Sequence, residues 1–339
     1  MTPPPATLSD DAPVRVHSYL RAGEERSLAD DVLDGLTRPF KELPPKHFYD
    51  ARGAELFDRI CDLPEYYPTR AERSILVGHG AAIARTTGAT EVVELGSGTA
   101  EKTGVLLAAL EAENGLERYV PIDVTEAMVR GCAGAFTERF PALRVHGIVG
   151  DFERHLGHVP VAGDGPRIVA FLGGTIGNFT PGARRRFLRQ IAKLLRPGVD
   201  FLLLGTDLVK DPEVLEAAYD DSAGVTAEFN RNVLHVVNRE LGADFDPDAF
   251  EHVAFFDRER EWIEMRLRAT RRMKVRVAAV DLDVEFAARE ELRTEISAKF
   301  TPDRLRADLG AAGLDLVEIL TDDDDRFALS LSTPARSGA

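Results

Sequence analysis

The stretch that decides the fold is Val92–Thr103, which reads VVELGSGTAEKT. A short apolar run carries the acid Glu94, a turn with Gly96 and Gly98 follows, and a helix-like segment begins after the turn. This order is typical of the first strand–turn–helix unit of a doubly wound α/β domain, where the carboxyl end of the strand faces a ligand. Glycines permit a tight turn and a close approach of the backbone, and the helix N-terminus offers unpaired N–H groups to an anionic group.

Apolar runs and helix-like segments alternate on both sides of this turn, from residue 71 to about residue 210. The predicted strands are 91–95, 118–123, 143–149, 167–172 and 200–205. Short connections between such elements favour a parallel sheet with helices on both faces. Beyond residue 210 come two helical segments and then alternating stretches at 262–269 and 273–286, which indicate an inserted region. Segments 314–320 and 327–331 are strand-like again and are expected to complete the first sheet.

We therefore predict an α/β protein with a Rossmann-like sheet and an inserted second α+β domain. Residues 71–210 and 298–337 are assigned to the nucleotide-binding domain, and residues 15–70 and 211–297 to the domain that binds substrate. Residues 1–14 are acidic and rich in proline, which predicts a disordered tail.

Composition narrows the class of protein. The chain has 339 residues, of which 44% are hydrophobic and 29% charged, as in ordinary soluble domains. A net charge of −15 disfavours nucleic acid as a partner. Cys61 and Cys132 have neither a disulfide nor a metal-site spacing, and neither a signal peptide nor a membrane-length apolar run is present. We expect a cytoplasmic monomer with no metal, nucleic-acid or membrane partner.

The glycine turn does not fit a dinucleotide site. That site requires G-x-G-x-x-G, and here Glu101 stands where the third glycine is needed for close packing of helix and strand. A nicotinamide-dependent oxidoreductase is therefore the less favoured alternative.

Acids at three strand ends indicate a different nucleotide ligand. Glu94 precedes the turn, Asp123 ends the second strand and can accept hydrogen bonds from ribose hydroxyls, and Asp151 with Phe152 follows the third strand and suits an adenine. The combination resembles the class I S-adenosylmethionine-dependent methyltransferases. The competing interpretation is an α/β domain in which these acids only cap helices.

An ordered series of motifs resembles one family more closely, the histidine-specific Nα-methyltransferases of ergothioneine biosynthesis. The resemblance runs from about residue 17 to residue 333, with departures at His47, where the family often has Trp, and Gly174, where it often has Ser. The motifs that carry it are LPPKHFYD at 43–50, LPEYYPTR at 63–70, ELGSGT at 94–99, FLGGTIGN at 171–178, FNRN at 229–232 and TEISAKF at 294–300.

The resemblance implies three methyl transfers from S-adenosylmethionine to the α-amino group of L-histidine, which give hercynine. It implies donor contacts at Tyr49, Gly96, Ser97, Gly98, Lys102, Asp123, Asp151 and Phe152. It implies acceptor contacts at Tyr66, Asn178, Tyr219, Glu295 and Ser297. Tyr49 and Tyr66, which can surround the amine, are the expected catalytic residues, and a strong dedicated base is not expected.

Alternation along 294–300 supports the acceptor assignment. In an extended segment Glu295, Ser297 and Lys299 point the same way. A carboxylate and a hydroxyl can together bind the two nitrogens of one imidazole, whereas without the resemblance the segment reads as the polar face of an edge strand. A methyltransferase for another amino acid such as tryptophan is the closest alternative, although an indole has only one N–H donor. A non-catalytic binding module is a further alternative.

Overall fold

The computed structural model describes residues 12–20, 27–98 and 100–335. The strands in this part of the chain are β1 (Val14–Ser18), β2 (Lys41–Glu42), β3 (Glu91–Leu95), β4 (Arg118–Asp123), β5 (Arg144–Val149), β6 (Arg167–Phe171), β7 (Phe201–Asp207), β8 (Phe250–Asp257), β9 (Trp262–Ala269), β10 (Met273–Val277), β11 (Leu282–Phe286), β12 (Glu291–Ala298), β13 (Leu314–Thr321) and β14 (Phe327–Pro334). The helices are α1 (Leu28–Leu36), α2 (Ala51–Asp62), α3 (Pro68–Thr87), α4 (Thr103–Asn114), α5 (Glu126–Arg139), α6 (Phe152–His155), α7 (Pro181–Ala192), α8 (Pro212–Ala217), α9 (Val225–Leu241) and α10 (Pro302–Ala311).

The main sheet contains eight of the described strands, in the order β1-β5-β4-β3-β6-β7-β14-β13. Its first six strands are parallel, while β14 pairs antiparallel with both β7 and β13. The predicted Rossmann-like sheet is confirmed, including the return of the C-terminal hairpin. Because parallel strands end at one edge, the segments that follow β3, β4, β5 and β6 meet there.

The two faces of this sheet are covered by different helices. Val92 faces a core with Ile75 of α3 and Leu106 of α4, whereas its neighbour Val93 faces a second core with Phe187 of α7. Successive side chains of a strand point to opposite faces, so a continuous apolar run is needed when both faces are buried. For this physical reason the parallel strands are the elements most easily predicted from the sequence.

A second sheet lies in the inserted region and has the order β2-β12-β9-β8. Strand β12 pairs antiparallel with β9 and parallel with the short β2, which brings residues 41–42 into this sheet. Helix α9 packs against it through Phe229 and Val233, in a core shared with Ile263 and Leu267 of β9. The separate hairpin β10–β11 completes the region.

The N-terminal boundary differs from the prediction. Residues 1–11 of the predicted tail lie outside the described residues, but Val14–Ser18 forms β1 and pairs in parallel with β5 of the main sheet. The assignment of residues 15–18 to the substrate domain is therefore wrong. The segment is short and partly charged, and it becomes a strand because β5 offers unpaired backbone groups at the edge of the sheet.

Two further differences concern the inserted region. Strand β8 was not predicted, because its sequence FEHVAFFD does not alternate cleanly and most of its residues are only half-buried. The stretch 273–286, predicted as one alternating segment, is divided into two strands by a turn at which Asp281 has a φ of 51°.

No helix among residues 12–20, 27–98 and 100–335 is both long enough and apolar enough to cross a membrane.

Gly205 on β7 leads to a test of the packing between the sheet and α3. A Cβ atom at this position would lie 2.2 Å from Oε1 of Glu72 and 3.3 Å from a ring carbon of Phe327. We expect Gly205→Ala to lower the free energy of unfolding by about 2 kcal/mol, since overpacking of a filled interior typically has this effect. Denaturant titration measures the change.

Gly131→Ala on α5 is the matched control. A Cβ atom at position 131 would have nothing within 4 Å, and alanine in a helix interior is more favourable than glycine by up to about 1 kcal/mol. Equal unfolding free energies for the Gly205→Ala variant and the wild type would mean that β7 and α3 are not tightly packed at Gly205.

Candidate functional site

The turn after β3 is tied to the end of β4. Gly96 and Gly98 have φ values of 73° and 48°, conformations that glycine adopts without strain. The Gly98 amide donates to Oδ2 of Asp123 at 3.0 Å, and the Thr125 amide donates to Oδ1 at 2.9 Å. Asp123 therefore stands at the sheet edge beside the glycine turn, as its position at a strand end predicts.

Asp151 and Phe152 follow β5 at the same edge. Oδ1 of Asp151 accepts from the Glu153 amide at 2.8 Å and caps α6. The Phe152 ring packs against Phe171, with ring centres 5.3 Å apart, and a Cβ atom on Gly96 would lie only 3.5 Å from it. The structure thus brings together the predicted residues from the ends of three adjacent strands.

Ser97 and Lys102 occupy different environments within the turn. The Ser97 side chain is buried, and its hydroxyl lies 3.8 Å from the Cys132 thiol. Lys102 forms an ion pair with the fully buried Glu72 of α3, which also accepts from the Gly173 amide after β6 at 2.8 Å. Glu72, which the sequence did not single out, therefore connects α3 to two loops of the edge.

Glu94 has an internal role. Its carboxylate accepts hydrogen bonds from the Tyr119 phenol of β4 and the Thr103 hydroxyl at the start of α4. Burial raises the pKa of Glu94 to about 7. The acid that precedes the glycines thus connects β3 to β4 and to the start of α4.

The second part of the site is built on β12. Asn178 ends a short 3₁₀ helix, Thr175–Asn178, that follows β6, and its amide Nδ2 donates to Oε1 of Glu295 at 3.0 Å and to the Ile296 carbonyl at 2.8 Å. A Cβ atom on Gly177 would lie 2.9 Å from the Ala298 carbonyl, so glycine permits this close approach. Both hydrogens of the Asn178 amide are directed at β12 in this arrangement.

Hydroxyl groups and one cation surround Ser297. The Tyr219 phenol lies 2.8 Å from Oγ of Ser297, and Nζ of Lys299 lies 3.0 Å from each of these two oxygens. Lys299 is fully buried and pairs with Asp207, the last residue of β7, at 2.7 Å. The predicted alternation thus holds at Glu295, Ser297 and Lys299, whose polar groups face one cluster.

Aromatic rings line the approach to this cluster. The Tyr66 ring lies edge-on to Tyr219, with ring centres 6.4 Å apart, and packs similarly against Phe57. Tyr49 is half-exposed and lies edge-on to Phe57 and Phe229 at 5.6 and 5.7 Å. The two tyrosines predicted from separate motifs therefore share one aromatic wall.

The titration of these groups is shifted by their surroundings. Burial raises the pKa of Glu295 to about 7, although the Asn178 hydrogen bond and the Lys299 charge oppose the shift. Burial also raises the pKa of the Tyr66 and Tyr219 phenols above the ordinary value. At neutral pH both tyrosines are therefore protonated hydrogen-bonding groups rather than bases. In the described ranges no group of three or more His, Cys, Asp or Glu side chains is arranged to hold a metal ion.

Residues 28–334 match the model of a family described as histidine-specific methyltransferases that depend on S-adenosylmethionine. The chain belongs to this family. The predicted resemblance is thereby confirmed over nearly the whole of the chain.

Two mycobacterial relatives match this chain along nearly their full length, and a fungal relative matches it over a shorter part. It is 53% identical to histidine N-alpha-methyltransferase of Mycolicibacterium smegmatis over 316 residues, which cover 93% of this chain and 98% of that protein. It is 52% identical to the protein of the same name from Mycobacterium tuberculosis, with 90% and 94% covered. Ergothioneine biosynthesis protein 1 of Schizosaccharomyces pombe is 33% identical over 64% of this chain and 29% of that protein.

Sequence reasoning missed a buried polar group that lies behind the site in this methyltransferase. Asp207, Tyr67 and Lys210 form a buried group in which the Tyr67 phenol donates to Asp207 at 2.8 Å and Nζ of Lys210 lies 2.6 Å from the same carboxylate. The position of Asp207 after an apolar strand was the available signal, since the same reasoning identified Asp123. Lys299 was placed on the correct face, but its partner on β7 could not be read from the sequence.

The raised pKa of Glu295 predicts how stability depends on pH. The folded protein holds the Glu295 proton more tightly than the unfolded chain, so the resulting stabilisation is present at low pH and is lost between about pH 4.5 and 7. The glutamine side chain of the Glu295→Gln variant cannot ionise. The free energy of unfolding of this variant minus that of the wild type should therefore be about 2 kcal/mol higher at pH 8 than at pH 5. Denaturant titrations of both proteins at both pH values measure this difference.

The comparison cancels the titration of Glu94 and of other groups, because they are present in both proteins. If the substitution had the same effect at pH 5 and pH 8, the pKa of Glu295 would be close to its ordinary value and the description of its burial would be wrong.

Proposed function

We propose that this protein transfers three methyl groups in succession from S-adenosylmethionine to the α-amino nitrogen of L-histidine and so forms hercynine, a step in ergothioneine biosynthesis. The observation that carries the proposal is the placement of Glu295 and Ser297 side by side on β12, next to the strand ends of the main sheet. A carboxylate and a hydroxyl at this spacing match the two nitrogens of an imidazole. Membership of the family and the names of its relatives agree with this substrate.

The residues at the edge of the main sheet fit the methyl donor. Each carboxylate oxygen of Asp123 accepts one backbone N–H and keeps a lone pair for a ribose hydroxyl. Phe152 offers an apolar ring, and the adjacent Asp151 carboxylate can accept from an adenine amino group. When bound, S-adenosylmethionine supplies a methyl group that its sulfonium already activates for transfer.

The remaining donor contacts are assigned to the turn. We assign Gly96, Ser97 and Gly98 as backbone contacts, because the Ser97 side chain is buried. Lys102 and Tyr49 complete the donor set. Glu72 bonds to both Lys102 and the Gly173 amide. It therefore holds the Lys102 ammonium group close to the loop that follows β6.

The acceptor is held by residues of both domains. Glu295 and Ser297 bind the imidazole, while Tyr219 and Asn178 are assigned to the carboxylate of the amino acid. Both amide hydrogens of Asn178 are donated to β12. Asn178 must therefore break its hydrogen bond to Glu295 before it can donate to the substrate.

Tyr49 and Tyr66 are assigned to the amine. Transfer needs a neutral nitrogen in line with the methyl group, so these residues orient the substrate and do not form covalent bonds with it. The raised pKa of Tyr66 leaves water or a hydroxyl relay as the path for the departing proton. Aromatic faces tolerate the cationic product. The proposal takes the protein as a cytoplasmic monomer that acts on the free amino acid.

Mass spectrometry of the reaction tests the activity. The protein is incubated with S-adenosylmethionine and either L-histidine or L-tryptophan. We expect histidine to gain one, two and then three methyl groups and tryptophan to gain none, because an indole cannot satisfy both Glu295 and Ser297. Methylation of tryptophan without methylation of histidine would transfer the assignment to the alternative substrate, and no gain with either would overturn the proposal.

Reciprocal substitutions test the division of the site. Glu295→Ala should weaken histidine binding about 10- to 100-fold, since a hydrogen bond to a charged group is lost, and should change donor binding by less than about twofold. Asp123→Ala should weaken donor binding and leave histidine binding nearly unchanged. Titration calorimetry with each ligand separately measures both effects, and equal losses for the two ligands in either variant would argue against separate subsites.

A further inference from the structure

Lys299 is a buried cation whose hydrogens are all engaged. Its ammonium group lies 2.7 Å from Oδ2 of Asp207 and 3.0 Å from both Oγ of Ser297 and the phenol oxygen of Tyr219. An ammonium group has three hydrogens and accepts none. Lys299 therefore donates to each of these three oxygens, and both site hydroxyls are acceptors toward it.

The hydrogens of the two hydroxyls can then be counted. Oγ of Ser297 and the phenol oxygen of Tyr219 are 2.8 Å apart, so one hydroxyl hydrogen lies between them. The other hydroxyl hydrogen finds no acceptor among the described residues. If Tyr219 donates to Ser297, then Ser297 already accepts two hydrogen bonds and can only donate outward. With the reverse order, Tyr219 is the outward donor and Ser297 keeps one lone pair toward a ligand. The phenol is the more acidic of the two hydroxyls, so we take the first order, in which Ser297 presents its O–H to the ligand and Tyr219 reaches the substrate carboxylate only by exchanging its bond to Ser297.

Glu295 supplies the opposite polarity. Its Oε1 accepts from Asn178, and in the ionised form, which predominates above about pH 7, its two oxygens have further lone pairs. The site thus offers one donor and one acceptor. A neutral imidazole has one bare nitrogen and one N–H and is complementary to this pair. An imidazolium has two N–H groups, so one of them would face the outward O–H and the positive charge of Lys299.

We propose that Lys299, held by Asp207, is a positioning residue that makes the Ser297–Tyr219 pair a hydrogen-bond donor and thereby selects the neutral imidazole of the substrate. The inference rests on the proposed function and adds to it the protonation state that the site accepts. Lys299 acts through the two hydroxyls and not by direct contact with the substrate.

The surroundings of Asp207 make this role separable from folding. Asp207 also accepts from the Tyr67 phenol at 2.8 Å and pairs with Lys210 at 2.6 Å, so it retains two partners when Lys299 is removed. Lys210 bonds to Asp207, Tyr67 and the Leu208 carbonyl, and no contact between Lys210 and Ser297 is found in the described part of the chain. Lys210→Met is therefore a matched control for Lys299→Met.

Substrate analogues that lack one nitrogen function distinguish the two ends of the ring. Pyrrol-2-yl- and pyrrol-3-yl-L-alanine keep one N–H but have no bare nitrogen, whereas thiazol-4-yl- and thiazol-5-yl-L-alanine keep a bare nitrogen but have no N–H. Dissociation constants of these analogues and of L-histidine are measured at pH 8, where Glu295 is ionised, by calorimetry on the full chain saturated with S-adenosylhomocysteine. The better-binding isomer of each type is compared with histidine.

We expect the wild type to bind the pyrrole analogue about 10- to 100-fold more weakly than histidine, because the outward O–H loses its acceptor. In Lys299→Met the ratio of the dissociation constant of the pyrrole analogue to that of histidine should fall about 10-fold, because the Ser297 hydroxyl becomes free to rotate. The ratio of thiazole analogue to histidine should stay within about twofold, because it reports the contact with Glu295. Lys210→Met should leave both ratios at their wild-type values.

An unchanged pyrrole ratio in Lys299→Met, or equal changes in the pyrrole and thiazole ratios, would overturn the role of Lys299. The proposed function would still stand in that case if the wild type methylates histidine. Failure of the wild type to bind histidine would overturn both. If Lys299→Met does not fold, its combination with Asp207→Asn and Lys210→Met removes all three charges of the buried group, and the same ratios are expected from it.

Discussion

The buried ion pair between Asp207 and Lys299 joins the two sheets of the protein. Asp207 ends β7 in the main sheet, and Lys299 directly follows β12 in the second sheet. The Phe300 amide also donates to the Asp207 carbonyl at 2.8 Å, so backbone and side chains connect the same two segments. A buried charge is tolerated only when its partners satisfy it, and Tyr67 and Lys210 supply the further contacts of Asp207. The position of β12 over the strand ends depends on this junction.

The two halves of the site arise from different constraints. Gly96, Gly98, Asp123 and Phe152 meet because parallel strands end at one edge, so topology alone brings them together. Glu295, by contrast, lies on a strand of the second sheet and reaches this edge because β12 is held there. Asn178, Tyr219 and Asp207 come from three other segments and fix the orientation of Glu295, Ser297 and Lys299. Burial in this cluster raises the pKa of Glu295 to about 7, so the proposed acceptor subsite contains a group that titrates near neutral pH.

Much of this arrangement could be predicted, and the reason differs between residues. The parallel strands were readable because burial on both faces requires continuous apolar runs, as in Arg167–Phe171. Asp123 and Asp151 were identifiable because each follows such a run. Glu295 and Ser297 were assigned through the family resemblance, because alternation alone describes any edge strand. Strands β1 and β8 were missed, since an edge strand takes its hydrogen bonds from a neighbour and needs little apolar sequence of its own.

The sequence by itself determined the order of the elements, the edge of the sheet at which Asp123, Asp151 and the glycine turn meet, and the face of 294–300 that carries polar groups. These properties follow from short-range periodicity and from the direction of parallel strands, which are encoded locally. Only the tertiary structure decided the partners of these polar groups. Asn178 bonds to Glu295, Tyr219 bonds to Ser297, and Asp207 forms an ion pair with Lys299. Such contacts join residues far apart in the chain and depend on how two sheets pack, and the hydrogen-bond polarity of the site follows from them.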